Sequence, residues 1–134
     1  MTTRRVLARS AVLTATLAVL AVPATGSAAV RWFHSPTGNL SCEVADHDAR
    51  GSYAYCQSER TPVSAKLAPN GTVRICTGTG CLGNGPEDAI TLRYGRSVTV
   101  GRYRCTSRAD GIRCRVRASG RGFLINASGV TRLR

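Results

Sequence analysis

Hydrophobic and polar residues alternate in short runs along most of this 134-residue chain, and glycine, proline, asparagine and aspartate separate the runs. In "LSCEV" Leu40, Cys42 and Val44 share one parity, with Ser41 and Glu43 between them. Alternation of period two predicts half-buried β-strands, because successive side chains leave a strand on opposite faces. "SPTGN" (35–39) predicts a proline turn before that strand, and "SYAYCQ" predicts a strand returning after "ADHDARG". "TPVSAKLA" and "TVRIC" flank Pro69-Asn70-Gly71 and predict a second hairpin. "LGNGPED" reads as loop, and "AITLRYG" as a strand closed by Gly95. In "SVTVGRYRC" Val98 and Val100 hold one parity while Tyr103 and Cys105 hold the other, which predicts a bulge or bend at Gly101. "IRCRVRA" and "GFLINASGVTRL" supply the last strands, with turns at 120–122 and 128–129. No window carries a helical period with caps. About eight short, evenly spaced strands predict an all-β domain, a small antiparallel barrel or sandwich of short hairpins.

The first residues depart from this pattern. "MTTRRVLARS" is basic, "AVLTATLAVLAV" is a twelve-residue apolar run, Pro23 breaks it, and "ATGSAA" supplies small residues. That order is the order of a helical secretory signal. The run is too short to cross a bilayer core of roughly 30 Å, which needs about 20 residues. Residues 1–29 are therefore expected to be a signal peptide cleaved near Ala29, and 30–134 a single disulfide-rich β domain that is secreted, with no transmembrane segment in the mature chain. Arg4-Arg5 loosely resembles a twin-arginine export pattern, and either export route ends outside the cytoplasm.

Export changes the meaning of the six cysteines. Their spacings are C-x13-C, C-x4-C and C-x8-C, with His34 and His47 distant from any pair, and none matches the tight knuckles of structural zinc sites. An even number of cysteines in a small exported domain reads as a disulfide set. Hairpin order selects Cys42–Cys56, Cys76–Cys81 and Cys105–Cys114. For the last pair, Ser107 facing Ile112 across a turn at Arg108-Ala109-Asp110-Gly111 puts Cys105 opposite Cys114. The glycines of "TGTG" allow the tight closure from Cys76 to Cys81. The core is expected to be thin, its aromatics being Trp32, Phe33, Tyr53, Tyr55, Tyr94, Tyr103 and Phe123. Three disulfides are worth about 8 kcal/mol in the chain-entropy model, comparable with the whole stability of a typical domain.

Three segments, "WFHSPTGNLSCE", "CTGTGCLGNGPEDAITLRYG" and "GRYRCTSRADGIRCRVRASGRGFLI", together resemble a family of small exported actinobacterial proteins. That family carries F-x-S-P-S-G-N-I-x-C near the mature start and then a C-x-G-x-x-C-L-G-N segment. An L-x-Y-G segment follows, and the chain closes on C-x-S…G-V-x-C…G-x-G-F. The resemblance spans nearly all of the expected mature chain. It implies a secreted, cysteine-bonded protein and carries no activity with it. Around the last hairpin this chain differs, having arginines where the relatives have mixed polar residues.

Those arginines carry the charge. The formal net charge is +12, and from Arg93 to Arg134 eleven arginines face a single acid, Asp110. With Tyr103, Cys105, Ile112, Cys114 and Val116 turned inward, Arg102, Arg104, Arg113, Arg115 and Arg117 are expected to face outward together, Arg104 opposite Arg115 and Arg102 opposite Arg117. The guanidinium fork suits phosphate and carboxylate, so this face is the candidate anion-binding surface, for an anionic envelope polymer or lipid headgroups. A solvated outer face is the competing reading, since Lys66 is the only lysine and arginine is the habitual cation here. No aromatic is interleaved on that face, so base stacking and sequence-specific nucleic-acid recognition are not expected.

Catalytic constellations are weak. "DHD" (46–48) offers oxygens and His47 but lacks further ligands, so no metal and no cofactor are expected. His34 and Ser35 are adjacent on a strand and point to opposite faces. Glu43 with His47 and an arginine imitates a ribonuclease set without the helix such enzymes pack on their sheet. The sequence therefore points to a secreted, non-enzymatic binding or interaction protein at or outside the cell envelope. The alternatives are a small ribonuclease-like hydrolase using His47 or His34, and a protease-inhibitor module presenting the stapled loop 76–81.

Overall fold

The alternation at Leu40, Cys42 and Val44 is realised as burial: these side chains are 5 %, 2 % and 0 % exposed and enter one core. The computed structural model describes residues 29–48 and 51–134, so the expected signal segment falls, except for Ala29, outside the described residues. Strands β1 (Ala29–His34), β2 (Leu40–Asp48), β3 (Gly51–Ser58), β4 (Val63–Leu67), β5 (Val73–Thr77) and the two-residue β6 (Ile90–Thr91) form the first sheet, in the order β5-β4-β3-β2-β1-β6. Strands β7 (Ser97–Val100), β8 (Tyr103–Arg108), β9 (Gly111–Val116), β10 (Gly122–Asn126) and β11 (Gly129–Leu133) form the second, in the order β11-β10-β9-β8-β7. Every pairing is antiparallel except that of β6 with β1. The sheets pack face to face as a sandwich and do not close into a barrel.

All three expected disulfides are present: Cys42–Cys56, Cys76–Cys81 and Cys105–Cys114. Two of them join residues directly opposite on neighbouring strands, with Cα atoms 4.1 and 4.0 Å apart. These two meet across the sandwich, Cys56 Sγ lying 3.7 Å from Cys114 Sγ, so each sheet's own staple is also a packing contact with the other sheet. Cys42, Cys56 and Cys114 cluster closely enough for a metal, but each sulfur is spent in a disulfide and offers no thiolate. Around the sulfurs lie Phe33, Leu67, Tyr103, Ile112, Phe123 and Ile125, all fully buried. Three disulfides place the folded protein in an oxidising compartment. No helix among the described residues is long and apolar enough to cross a membrane.

Four expectations are corrected. "SVTVGRYRC" is not one strand with a bulge at Gly101 but two strands, since Val100 pairs with Tyr103 around a reversal at Gly101 and Arg102. A hairpin reverses direction there, which flips the parity as a bulge would. "AITLRYG" contributes only Ile90 and Thr91 as strand, and Tyr94 is 49 % exposed. The turn between β8 and β9 is tighter than expected, because Arg108 pairs with Gly111. Trp32, Tyr53 and Tyr55 do not enter the inter-sheet core: they stand on the outer face of the first sheet, in register with Glu43, Ala45 and Lys66.

Candidate functional site

The outer face of the second sheet is built by the same alternation that builds its core. On β8, Tyr103, Cys105 and Ser107 are buried, which turns Arg104, Thr106 and Arg108 outward. On β9, Ile112, Cys114 and Val116 are buried, which turns Arg113 and Arg115 outward, and Arg117 follows the strand end. Arg104 stands opposite Arg115, and Thr106 opposite Arg113. Arg104, Arg108, Arg113, Arg115 and Arg117 thus line one open depression of about 460 Å³.

Like charges facing each other across a strand pair repel. Here the guanidinium of Arg115 swings to the β9–β10 turn, its Nη1 donating to the Gly120 carbonyl at 2.6 Å. Arg117 Nη1 donates to the Gly101 carbonyl at 3.2 Å. Arg113 Nη2 pairs with Asp110 Oδ2 at 2.6 Å, and its buried Nε has no hydrogen-bond partner among the described residues. That Arg113 hydrogen bond holds the Asp110 carboxyl below its ordinary range. The guanidinium groups of Arg104 and Arg108 form no hydrogen bond or close ion pair with the described residues, although the Arg108 charge also lowers the Asp110 carboxyl. The depression therefore presents fixed positive charge, two guanidinium forks without a hydrogen bond among the described residues, and one neutralising acid at its rim. It can hold phosphate, sulfate or carboxylate oxygens through charge-assisted hydrogen bonds.

Arg102 is in a different place from the other four expected residues. It lies in the β7–β8 turn, and its backbone N–H donates to Asp46 Oδ2 at 2.8 Å while its Nε donates to Oδ1 at 3.1 Å. Ser52 Oγ donates to the same carboxylate at 2.8 Å. A Cβ on Gly101 would fall inside the Asp46 side chain, so only glycine lets this turn close on the carboxylate. Arg102, Asp46 and Ser52 form a clasp that fastens the second sheet's turn to the first sheet. Burial pushes the Asp46 carboxyl up, but the Arg102 N–H, the Ser52 hydroxyl and the Arg102 guanidinium outweigh it and hold the group below the ordinary carboxylate range.

The remaining candidates are dispersed. His47 is exposed beside this clasp, its Nε2 3.2 Å from Arg102 Nη2, and Asp46 of the "DHD" triplet is committed to the clasp. His34 Nδ1 is bonded to Ser41 Oγ at 3.0 Å, while Ser35 Oγ accepts from the Leu40 N–H within the 35–40 turn. Glu43 accepts from Tyr53 Oη at 2.8 Å on the outer face of the first sheet. Arg108, expected in the turn, ends β8 and belongs to the depression. Its parity with Arg104 and Thr106 was the available signal.

Fold and site together define a three-disulfide β-sandwich with an arginine-lined outer face. Comparison of the chain with protein-family models, curated proteins and solved structures finds no match.

Proposed function

We propose that this is an exported, non-enzymatic binding protein that acts at or outside the cell envelope and holds polyanions on the arginine-lined face of its second sheet. The observation that carries this reading is the convergence of Arg104, Arg108, Arg113, Arg115 and Arg117 on one depression, against the single acid Asp110. Three disulfides and the signal-like leader support export, as does the resemblance to the small exported actinobacterial proteins, among which we place the chain. Phosphate-rich polymers and anionic headgroups share the chemistry this face recognises.

Retention of the oxidised protein on heparin and polyphosphate, followed against salt, tests it. If about three to five anionic groups are engaged, counterion release weakens binding on the order of 20–100-fold between 50 and 200 mM salt. Replacing Arg104, Arg108, Arg113, Arg115 and Arg117 by serine is expected to abolish retention at 200 mM salt. Arg102 stays unaltered because it belongs to the clasp. Retention unchanged in that variant overturns the reading.

A further inference from the structure

The outer face of the first sheet holds a second concavity that the polyanion reading does not use. Trp32 on β1, Glu43 on β2, Tyr55 on β3 and Lys66 on β4 form one row in direct register across four strands. Tyr53 stands beside them. Outward aromatic rows on a sheet are usually covered or exposed. This one is partly covered, because the chain after Cys81 folds over it. Gln57 clamps that segment by both amide atoms, Oε1 accepting from the Gly83 N–H at 2.7 Å and Nε2 donating to the Gly83 carbonyl at 2.8 Å. Tyr55 Oη donates to the Cys81 carbonyl at 2.8 Å, and the Cys76–Cys81 disulfide ties the segment to β5. Between segment and sheet remains a cavity of about 300 Å³, walled by Trp32, Tyr53 and Tyr55 and edged by Glu43, Lys66 and Asn84.

Size and lining narrow the ligand. About 300 Å³ is the lower end of the range for small-molecule sites, so the cavity suits a single ring. The aromatic walls favour a ligand with an apolar face. Glu43 and Lys66, of opposite charge in the same row, give no net preference for an ion. Their chemistry is complementary: the carboxylate accepts hydrogen bonds, the ammonium donates them, and the Asn84 amide does both. A ring whose perimeter carries hydroxyls, each both donor and acceptor, and whose faces carry C–H bonds satisfies all of these at once. The groups are also held in advance, Tyr53 Oη bonding Glu43 Oε1 at 2.8 Å and Lys66 Nζ lying 4.2 Å from the Tyr53 ring centroid. Pre-ordering of this kind lowers the entropic cost of binding a small ligand. We propose that this cavity binds a neutral pyranose sugar ring, stacked on the aromatic wall and hydrogen-bonded at its edge by Glu43, Lys66 and Asn84.

The chain has one tryptophan, Trp32, so its fluorescence reports on this cavity alone. The oxidised protein is titrated with glucose, galactose, mannose and N-acetylglucosamine, with adenosine and cytidine as planar stacking controls. A saturable change with at least one sugar is expected, with a Kd of about 1–10 mM. Glu43→Gln, and separately Lys66→Ala at an exposed position, are each expected to weaken it at least tenfold, with intact mass and amide dispersion verifying the fold. The variant lacking the five face arginines is expected to bind sugar as before, which separates this site from the polyanion face. Absence of a saturable change with all four sugars up to about 100 mM overturns the proposal. So does binding unchanged in both variants, or nucleosides binding as tightly as the best sugar.

Discussion

Asp46 shows how one residue takes its role from its surroundings. In the sequence it belongs to a polar triplet that invites a metal reading. In the fold it shares the inward parity of Leu40, Cys42 and Val44, and its carboxylate meets the turn that carries Arg102. Hydrogen bonds to a charged partner contribute about 1.5–3 kcal/mol each, so Asp46→Asn is expected to lower stability by about 2 kcal/mol at pH 7 in chemical denaturation. The pH dependence has a definite sign. The carboxyl is held lower in the folded protein than in the unfolded chain, so its stabilisation is complete above about pH 4 and is lost as pH falls through the folded value. Wild type and Asp46→Asn should therefore converge in stability as the pH is lowered below 4. A gap that stays constant from pH 7 to pH 3 contradicts the clasp.

At the scale of the element, the β8–β9 hairpin carries a conflict between charge and pairing. Arg104 and Arg115 are forced opposite each other by the same register that places Cys105 against Cys114. Arg115 escapes by turning to the Gly120 carbonyl, whereas the Arg104 guanidinium forms no hydrogen bond or ion pair with the described residues. Replacing Arg104 by threonine, a good strand residue, is expected to raise stability by about 0.2–1 kcal/mol at low salt. The gain should shrink toward 1 M salt, where screening reaches only about 3 Å. Equal stability gains at both salt concentrations would assign the effect to strand propensity alone. This hairpin was legible in the sequence almost residue for residue, because alternation fixes the faces and the cysteine spacing fixes the register. The β7–β8 hairpin was not, since a bulge and a reversal at Gly101 leave the same mark on side-chain parity.

For the whole molecule the staples are central in position as well as in energy. Cys42–Cys56 and Cys105–Cys114 touch at the middle of the sandwich, with all four cysteines no more than 2 % exposed. Loop closures of about ten to fifteen residues are worth about 2.5–3 kcal/mol each by chain entropy, against a total stability of about 5–15 kcal/mol for typical domains. Full reduction under mild denaturation is thus expected to release six thiols and abolish the cooperative melt, with no folded fraction remaining at 37 °C. A reduced, thiol-blocked protein that still melts cooperatively above that temperature would show that the thin core suffices without them. Trp32, Tyr53 and Tyr55 sharpen the point, for they add nothing between the sheets and instead wall the outer cavity.

Local alternation, turn residues and cysteine spacing determined the β class, the order of the hairpins, the three disulfides and the outward parity of Arg104, Arg113, Arg115 and Arg117. These are short-range properties: a strand's period of two and a hairpin's register act between neighbours in the chain. Tertiary structure alone decided that Arg102 closes on Asp46, 56 residues away, and that the segment after Cys81 roofs the aromatic row of the first sheet. Such contacts depend on how two sheets and a loop stack in space, and a pattern read along one dimension carries no term for that stacking.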